Sequence, residues 1–516
     1  MTNNHFDIII IGTGIGGSTL AQSLATTGKK ILILERGGFI PKEKENWDPV
    51  EVVEKGRYRT KEKWFDKDNN PFEPYTHYAV GGNSKVYGAA AFRLREKDFT
   101  EYQTPAGISP AWPLSYTDFK PYYDQAEIFM KVHGVRKEDP TEPFTDTAYP
   151  FPPIPIEPFT KELFENVKSA GVKAYPIPMA VSLTEDSGKQ DATMVLGNFD
   201  GFPDPTESKS DAHILGIRPA LKHPNVTLLT NAMVTKLETD SIGKAVSKVH
   251  ANVSGEMAVF ACDIVIIGAG AVNSAALLLR TTSLQHPNGL GNNNNMVGRN
   301  YMSHINGCMI AFTPNKLNDA AFQKYFCIGD YYWGDKDYEY PLGEIQLVGK
   351  NDPATYAWNP PTVFDGKDTN YIGRHAIDFW LTSEDIPMHE NRVTLTANNE
   401  IQLIYNRDKN NVQSFEKLKL KLKNIMAEVG KIDKDLSEII WGGYDLGISG
   451  VSHQCGTLTF GNDKANSVLN TNCQLHDVPN VFVVDASFFP SCGSYNPSLT
   501  IAANALRVAD YIKTII

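Results

Sequence analysis

Phe6-Asp-Ile-Ile-Ile-Ile-Gly-Thr-Gly-Ile-Gly-Gly-Ser18 carries the chain's first apolar run into a glycine turn. Ile8 to Ile11 has the length of a buried strand, and Gly12, Gly14 and Gly17 follow in G-x-G-x-x-G spacing. Ser18 to Thr27 is expected as a helix and Ile31 to Leu34 as a second buried strand, running into Glu35 and Arg36. In such a start Gly12 permits the tight turn, Gly14 lets backbone reach a pyrophosphate, and Gly17 lets helix pack close on strand. The N-terminus of that helix offers free N–H groups and a positive dipole end to phosphates. Glu35 stands where an acid can accept hydrogen bonds from ribose hydroxyls and disfavours a 2′-phosphate. A dinucleotide site of the FAD or NAD kind follows, and this stretch does not choose between them.

The 516 residues can bury a large core, expected as two domains. A net charge of -11 and a pI near 5.6 argue against general affinity for nucleic acid. No apolar run approaches the roughly 18 residues of a membrane span. The N-terminus lacks a basic segment of the secretory kind, so a cytoplasmic location is the default expectation. Six cysteines without a C-x-x-C pair read as free, mostly buried thiols, and twelve scattered histidines give no metal-ligand spacing. No metal is expected.

Along the chain, 42–70 is polar and without a clear element. Tyr78-Ala-Val-Gly-Gly-Asn-Ser-Lys-Val-Tyr-Gly-Ala-Ala-Ala91 holds three glycines and four alanines, a small-volume surface suited to backbone lying against a flat ligand. Thr117 to Val132 reads as a helix with Asp118 early, Pro121 tolerable only near the first turn, and Gly134 as its stop. Five prolines between Pro150 and Pro158 make an extended connector. Asn225 to Leu237 and Ala258 to Ile267 read as strands of the first sheet. Val265-Ile-Ile-Gly-Ala-Gly-Ala-Val-Asn-Ser274 looks like another strand-turn-helix of that sheet, with Asn273 where a third glycine would stand, so a second nucleotide is not expected. Segments at Tyr338–Gln346, His375–Leu381, Arg392–Thr396 and Glu400–Tyr405 suggest an antiparallel sheet, and Phe415 to Val429 a helix stopped by Gly430. The expected fold is α/β (α+β overall): a Rossmann-like dinucleotide-binding domain from 1–100, 208–305 and 444–516, connecting segments at 101–207, and a substrate domain on an antiparallel sheet at 306–443.

Two stretches near the end carry chemistry: Ser452-His-Gln-Cys-Gly-Thr457, and Val481-Phe-Val-Val-Asp-Ala486 followed by Gly493-Ser-Tyr-Asn-Pro-Ser-Leu-Thr500. Asn496-Pro497 signals a helix start, with Asn as cap and Pro in the first helical position. The ordered set resembles the glucose–methanol–choline (GMC) oxidoreductase family, flavoenzymes that oxidise alcohols. The resemblance rests on the N-terminal fingerprint, Gly81-Gly-Asn-Ser-Lys-Val-Tyr-Gly88, Gly270-Ala-Val-Asn-Ser274, Val297-Gly-Arg-Asn300, His453-x-x-Gly-Thr457 and Asp485 with Asn496 to Thr500. The last motif is most similar to the branch with pyranose oxidase and the bacterial fructose and gluconate dehydrogenases. Ser274-Ala275 and Thr281-Thr282 depart from the family's second signature, outside any catalytic position.

By that resemblance the cofactor is FAD. The turn Gly12, Gly14, Ile15, Gly17 would hold its pyrophosphate, Glu35 and Arg36 the adenosine side, and the Val234 backbone the adenine. Gly81, Gly82, Asn83, Tyr87 and Gly88 would line the flavin, and Asp485 and Ala486 would lie near the ribityl chain or pyrophosphate. Several family members tether FAD through a histidine in the glycine-alanine loop; Val86 stands at that place, so FAD is expected without the bond. Alcohol oxidation removes a proton from oxygen and a hydride from carbon, and a base at the hydroxyl lets hydride leave for flavin N5. His453 is the expected base and Asn496 its partner, orienting the hydroxyl. Backbone N–H groups after Asn496 and Pro497, near Ser498, would stabilise negative charge on the ring. His304 is the rival base, in a segment that looks structural. The expected partners are a small alcohol or sugar and an acceptor, oxygen or quinone. An FAD-containing lyase of the same fold, a non-turning FAD protein and an NAD-dependent dehydrogenase are the competing readings.

Overall fold

The computed structural model describes residues 5–183, 198–358, 361–450 and 452–516. Residues 1–4, part of the N-terminus read above, and 184–197, part of the expected connecting segment, lie outside the described residues.

The isoleucine run forms the strand His5–Ile11 at the centre of the first sheet. With apolar side chains on both faces it cannot sit at a solvated surface, and Ile8, Ile9 and Ile10 are fully buried. Ile31–Leu34 and then Val226–Leu229 pair parallel on one side of it, and Glu256–Ile267 pairs parallel on the other. The first half of that long strand turns antiparallel with Val246–Val253, which pairs in turn with Ala232–Thr239. Its last residues also take Val481–Val483 as a parallel neighbour. The C-terminal motifs are thereby brought beside the N-terminal glycine turn. The first helix, Ile15–Ala25, packs against the last, Ser498–Lys513.

The second sheet runs Ile440–Asp445, Ile305–Phe312, Ala376–Ser383, Glu344–Leu347, Phe326–Ile328 and Ala174–Pro176, antiparallel throughout. Its two faces separate by the period-2 alternation of a strand. Ile305, Met309, Ala311, Ile345, Leu347, Ile377, Phe379 and Leu381 meet Phe415, Leu418, Leu422 and Met426 of the helix Val412–Ile432 in one core. The intervening Asn306, Cys308, Ile310, Gln346 and Trp380 face a cavity instead. A hairpin, Arg392–Leu395 with Ile401–Ile404, joins Trp64–Phe65 and Pro71–Phe72 in a smaller sheet.

Several sequence expectations are corrected. The first helix begins at Ile15, not Ser18, because Gly14 itself serves as N-cap. The helix read at 117–132 is Tyr116–Phe129, capped by a Ser115–Asp118 box, and ends before Gly134. Pro121 lies beyond its first turn, on the exposed face, where water can take the place of the missing bond. Gly430 does not stop its helix, which continues to Ile432; a Cβ there would lie 2.8 Å from Leu436 O, so this glycine serves close packing. Of Tyr338–Gln346, Glu344 to Gln346 are in a strand. All six cysteines are free and buried.

Candidate active site

One cavity of about 1060 Å³ runs from the first glycine turn to the C-terminal motifs, at the upper end of the volumes that small-molecule sites occupy. Three glycines of the turn serve close backbone packing. A Cβ on Gly12, at φ +94°, would lie 2.5 Å from Gly268 O; on Gly16, 1.9 Å from Val484 O; on Gly17, 2.3 Å from Gly12 O. Gly14 differs: only Gly268 O, at 3.9 Å, lies within contact of its Cβ position. Gly14 is needed by no protein neighbour, and its bare backbone lines the cavity at a helix N-terminus. An open, side-chain-free approach to helix N–H groups fits a phosphate-bearing ligand.

Glu35 is buried, and burial pushes its carboxyl upward against the hydrogen bonds that favour its charge. Those donors are Thr13 Oγ1, Gly37 N at 2.9 Å and Thr13 N at 3.0 Å. Thr13 Oγ1 in turn accepts from Gly81 N at 3.0 Å, tying the first turn to the glycine-alanine loop. Arg36 lies 3.8 Å over the Tyr78 ring and 3.1 Å from Glu62. Ile15, Arg36, Gly82, Asn83, Tyr87, Gly88 and Val234 all line the cavity. Gly17 and Gly81 stand behind this wall; Gly17 packs on Gly12, and Gly81 takes the left-handed turn, φ +103°, that starts the loop.

Asp485 is buried where the last strand meets the second glycine turn. Its carboxylate accepts from Gly270 N at 3.0 Å, Ser274 Oγ, Ser487 N at 3.0 Å and Ser487 Oγ. Burial raises this carboxyl and the four donors oppose the rise. Asp485 therefore fastens the second glycine turn to the last strand while also lining the cavity with Ala486.

At the far end stand His453 and Asn496. Asn496 does not cap the last helix: Pro497 holds the N-cap position, and Asn496 Oδ1 accepts from Gln346 Nε2 at 2.8 Å. Gln346 also donates to Glu344, a fully buried carboxyl that desolvation pushes up to about 8. The preceding residue anchors this loop. Tyr495 stacks on Tyr332 at 4.7 Å, bonds Tyr175 at 2.7 Å, and lies 3.9 Å from the Arg95 guanidinium. Pro497 and Ser498 place the uncapped helix N-terminus in the cavity wall.

His453 is held from the other side. Met302 and Cys455 form an antiparallel bridge, with Met302 N to Cys455 O at 3.0 Å and the reverse bond at 2.9 Å. That register sets His304 opposite His453, Nδ1 to Nδ1 at 3.0 Å. Burial, then repulsion from His304 and Lys324, pushes the His453 imidazole down to about 3. His304 is itself buried and does not line the cavity.

Sequence reading gave Gln346, Lys324, Asp200 and Trp380 no role, yet all line the same end. Lys324 pairs with Asp200, whose other oxygen accepts from Gly349 N at 2.6 Å. Asn306 faces this end too, and neither its amide oxygen nor its nitrogen finds a partner among the described residues. The strand alternation that puts Asn306 and Gln346 on the polar face was the available signal.

Comparison with known proteins decides the family. The N-terminal GMC oxidoreductase profile matches residues 6–306, and the C-terminal one matches 387–505. The chain is a GMC oxidoreductase. Its cofactor is FAD, and the fold expected from sequence is the fold found. This GMC oxidoreductase is 26% identical to paromamine 6′-oxidase of Streptomyces fradiae, over 98% of the chain and 90% of that protein. It is 23% identical to the fructose dehydrogenase large subunit of Gluconobacter japonicus, over 98% and 97%. The solved structure of pyridoxine 4-oxidase from Mesorbium loti superposes with a TM-score of 0.67 at 16% identity, covering 99% of each chain. Among the described residues no helix is long and apolar enough to cross a membrane.

Proposed function

We propose that this GMC oxidoreductase oxidises an alcohol of the sugar or polyol class, with His453 as base and Asn496 as the group that orients the hydroxyl. The observation that carries the reading is the shared cavity. Its one wall is the Gly14 cradle, and its other end brings His453 and Asn496 together. Bound FAD supplies the hydride acceptor. Gly14, Glu35, Arg36, Val234 and the loop from Gly82 to Gly88 would hold it, with Val86 in place of a tethering residue, so it is bound without a covalent link.

His453 is neutral at physiological pH because burial opposes its cation, so its ring keeps a lone pair for the hydroxyl proton. The same burial makes the proton leave readily afterwards. With Asn496 Oδ1 engaged by Gln346, the Asn496 amide N–H is the donor available to the substrate oxygen. The helix N-terminus at Ser498 presents a positive dipole end to an electron-rich ring. Asn306, Lys324, Asp200 and Asn351 supply donors and acceptors for further hydroxyls, which supports a polyhydroxylated substrate. The names of two relatives, an oxidase of paromamine and a dehydrogenase of fructose, point the same way and leave oxygen and quinone both open as acceptors.

Anaerobic mixing of the purified protein with a panel of sugars, polyols and simple alcohols tests this. Bleaching of the flavin by polyhydroxylated members is expected. A spectrum that no member bleaches favours a lyase or a non-turning FAD protein. Reoxidation by oxygen or benzoquinone then identifies the acceptor.

A further inference from the structure

We propose that His304 is a positioning residue that fixes the tautomer of His453, so that His453 presents an unprotonated Nε2 to the cavity. The proposal deepens the reading of His453 as base and rests on it. His304 Nε2 lies 3.3 Å from the Cys492 carbonyl oxygen, which can only accept, so the His304 ring carries its hydrogen on Nε2. Burial opposes a cation on His304 and the Cys492 contacts more than offset it, so this ring takes the pair's first proton; above that titration His304 is neutral, carries its one N–H on Nε2, and accepts at Nδ1. The atom facing it at 3.0 Å, His453 Nδ1, must then be the donor. That leaves the lone pair of His453 on Nε2. A carbonyl behind two rings thus sets the polarity of the atom that meets the substrate, as the partner on the far nitrogen of a histidine generally does.

The surrounding backbone holds His304 for this task. The bridge between Met302 and Cys455 fixes the register, and Ser303 N donates to Asp385 Oδ2 at 2.8 Å. His304 sits at φ +61°, a left-handed conformation unfavourable for a residue with a Cβ, which persists where its surroundings over-determine it. When His453 takes the substrate proton, its Nδ1–H bond to His304 becomes charge-assisted and shortens. Adding a proton to the resting pair reverses the polarity: His304 then donates from Nδ1, and His453 shows an N–H to the cavity. Flavin reduction should therefore fall as pH falls through the pair's titration. The groups facing the pair are Lys324 beside His453, the Cys455 and Cys492 thiols, and Asp385 behind Ser303.

The decisive measurement is made on the wild-type holoenzyme. Holoenzyme labelled with ¹⁵N-histidine, with a His453→Gln spectrum for assignment, reports which ring nitrogens carry hydrogen at pH 7.5. Nδ1–H with bare Nε2 on His453 is expected; Nε2–H there overturns the proposal. A second arm compares His304→Leu, which has no acceptor, with His304→Asn. Asn places Oδ1 where Nδ1 stood and tolerates a positive φ. At equal FAD content, Leu should slow flavin reduction about tenfold or more, as wrong-tautomer histidines do, and flatten its acid limb, while Asn recovers most of the loss. A Leu variant that keeps its FAD and reduces at the wild-type rate also overturns the proposal. If His453→Ala leaves reduction unchanged, the assignment of the base fails instead, and the spectrum still judges the tautomer.

Discussion

In the proposed reaction Asn496 meets the substrate through its amide NH2, because its oxygen already accepts from Gln346. Replacing it by Ala should slow flavin reduction about tenfold, the worth of one hydrogen bond, without loss of FAD; an unchanged stopped-flow rate would count against its role. The type of this residue was legible in the Asn-Pro-Ser-Leu-Thr stretch, but the capping role read for it does not hold. An Asn before a Pro is a good cap only if nothing better takes its oxygen, and Gln346 does. His453 was legible in the same way. His304 was visible only as a rival to it, because the bond that joins the two rings depends on the pairing of Met302 with Cys455, which no local pattern announces.

Elements, not residues, decide what each glycine is for. Gly14→Ala should cost the apo-protein no more than about 1 kcal/mol, the disadvantage of alanine at an N-cap, since its backbone (φ -62°, ψ -176°) suits alanine and the nearest protein atom is 3.9 Å from the added Cβ. The methyl would project into the cradle, and titration should show FAD affinity down at least tenfold. Wild-type FAD affinity in Gly14→Ala would refute the cradle. Gly430 poses the opposite problem. Alanine normally gains about 1 kcal/mol over glycine inside a helix, yet here its Cβ would sit 2.8 Å from both Leu436 O and Ser437 Cα. Backbone cannot swing aside as a side chain can, and overpacking of this kind costs about 1–3 kcal/mol. Gly430→Ala should therefore lower the Tm, and a raised Tm would show that the 434–436 turn yields. Sequence gave this helix its apolar face correctly and its end wrongly, for the same reason: a glycine's stop signal and its packing role look alike in one dimension.

Across the whole molecule, buried carboxyls join segments far apart in sequence. Glu384, at the end of a strand of the second sheet, accepts from Ser109 at 2.7 Å and Tyr102 at 2.8 Å. Burial pushes it from the ordinary 4.5 up to about 8. Between those values the folded protein holds a proton that the unfolded chain has lost. The stabilisation is thus complete below about 4.5 and disappears as pH rises toward 8. In Glu384→Gln the difference in Tm from wild type should shift in the variant's favour from pH 5 to pH 8.5; a difference that does not change with pH would show the carboxyl is not protonated in the fold. The sequence by itself determined the parallel strands of the first sheet, the dinucleotide turn, the cofactor class through its motifs, and the types of the two side chains proposed for the reaction. Those rest on local rules: an apolar run that cannot face water, a turn only glycine can make, and residue types fixed by the chemistry they perform. Only the tertiary structure decided which partners those side chains have. His304 behind His453, Gln346 on Asn496, and the Asp485 clasp on the second turn arise from strand register and burial, which bring together residues that have no relation along the chain.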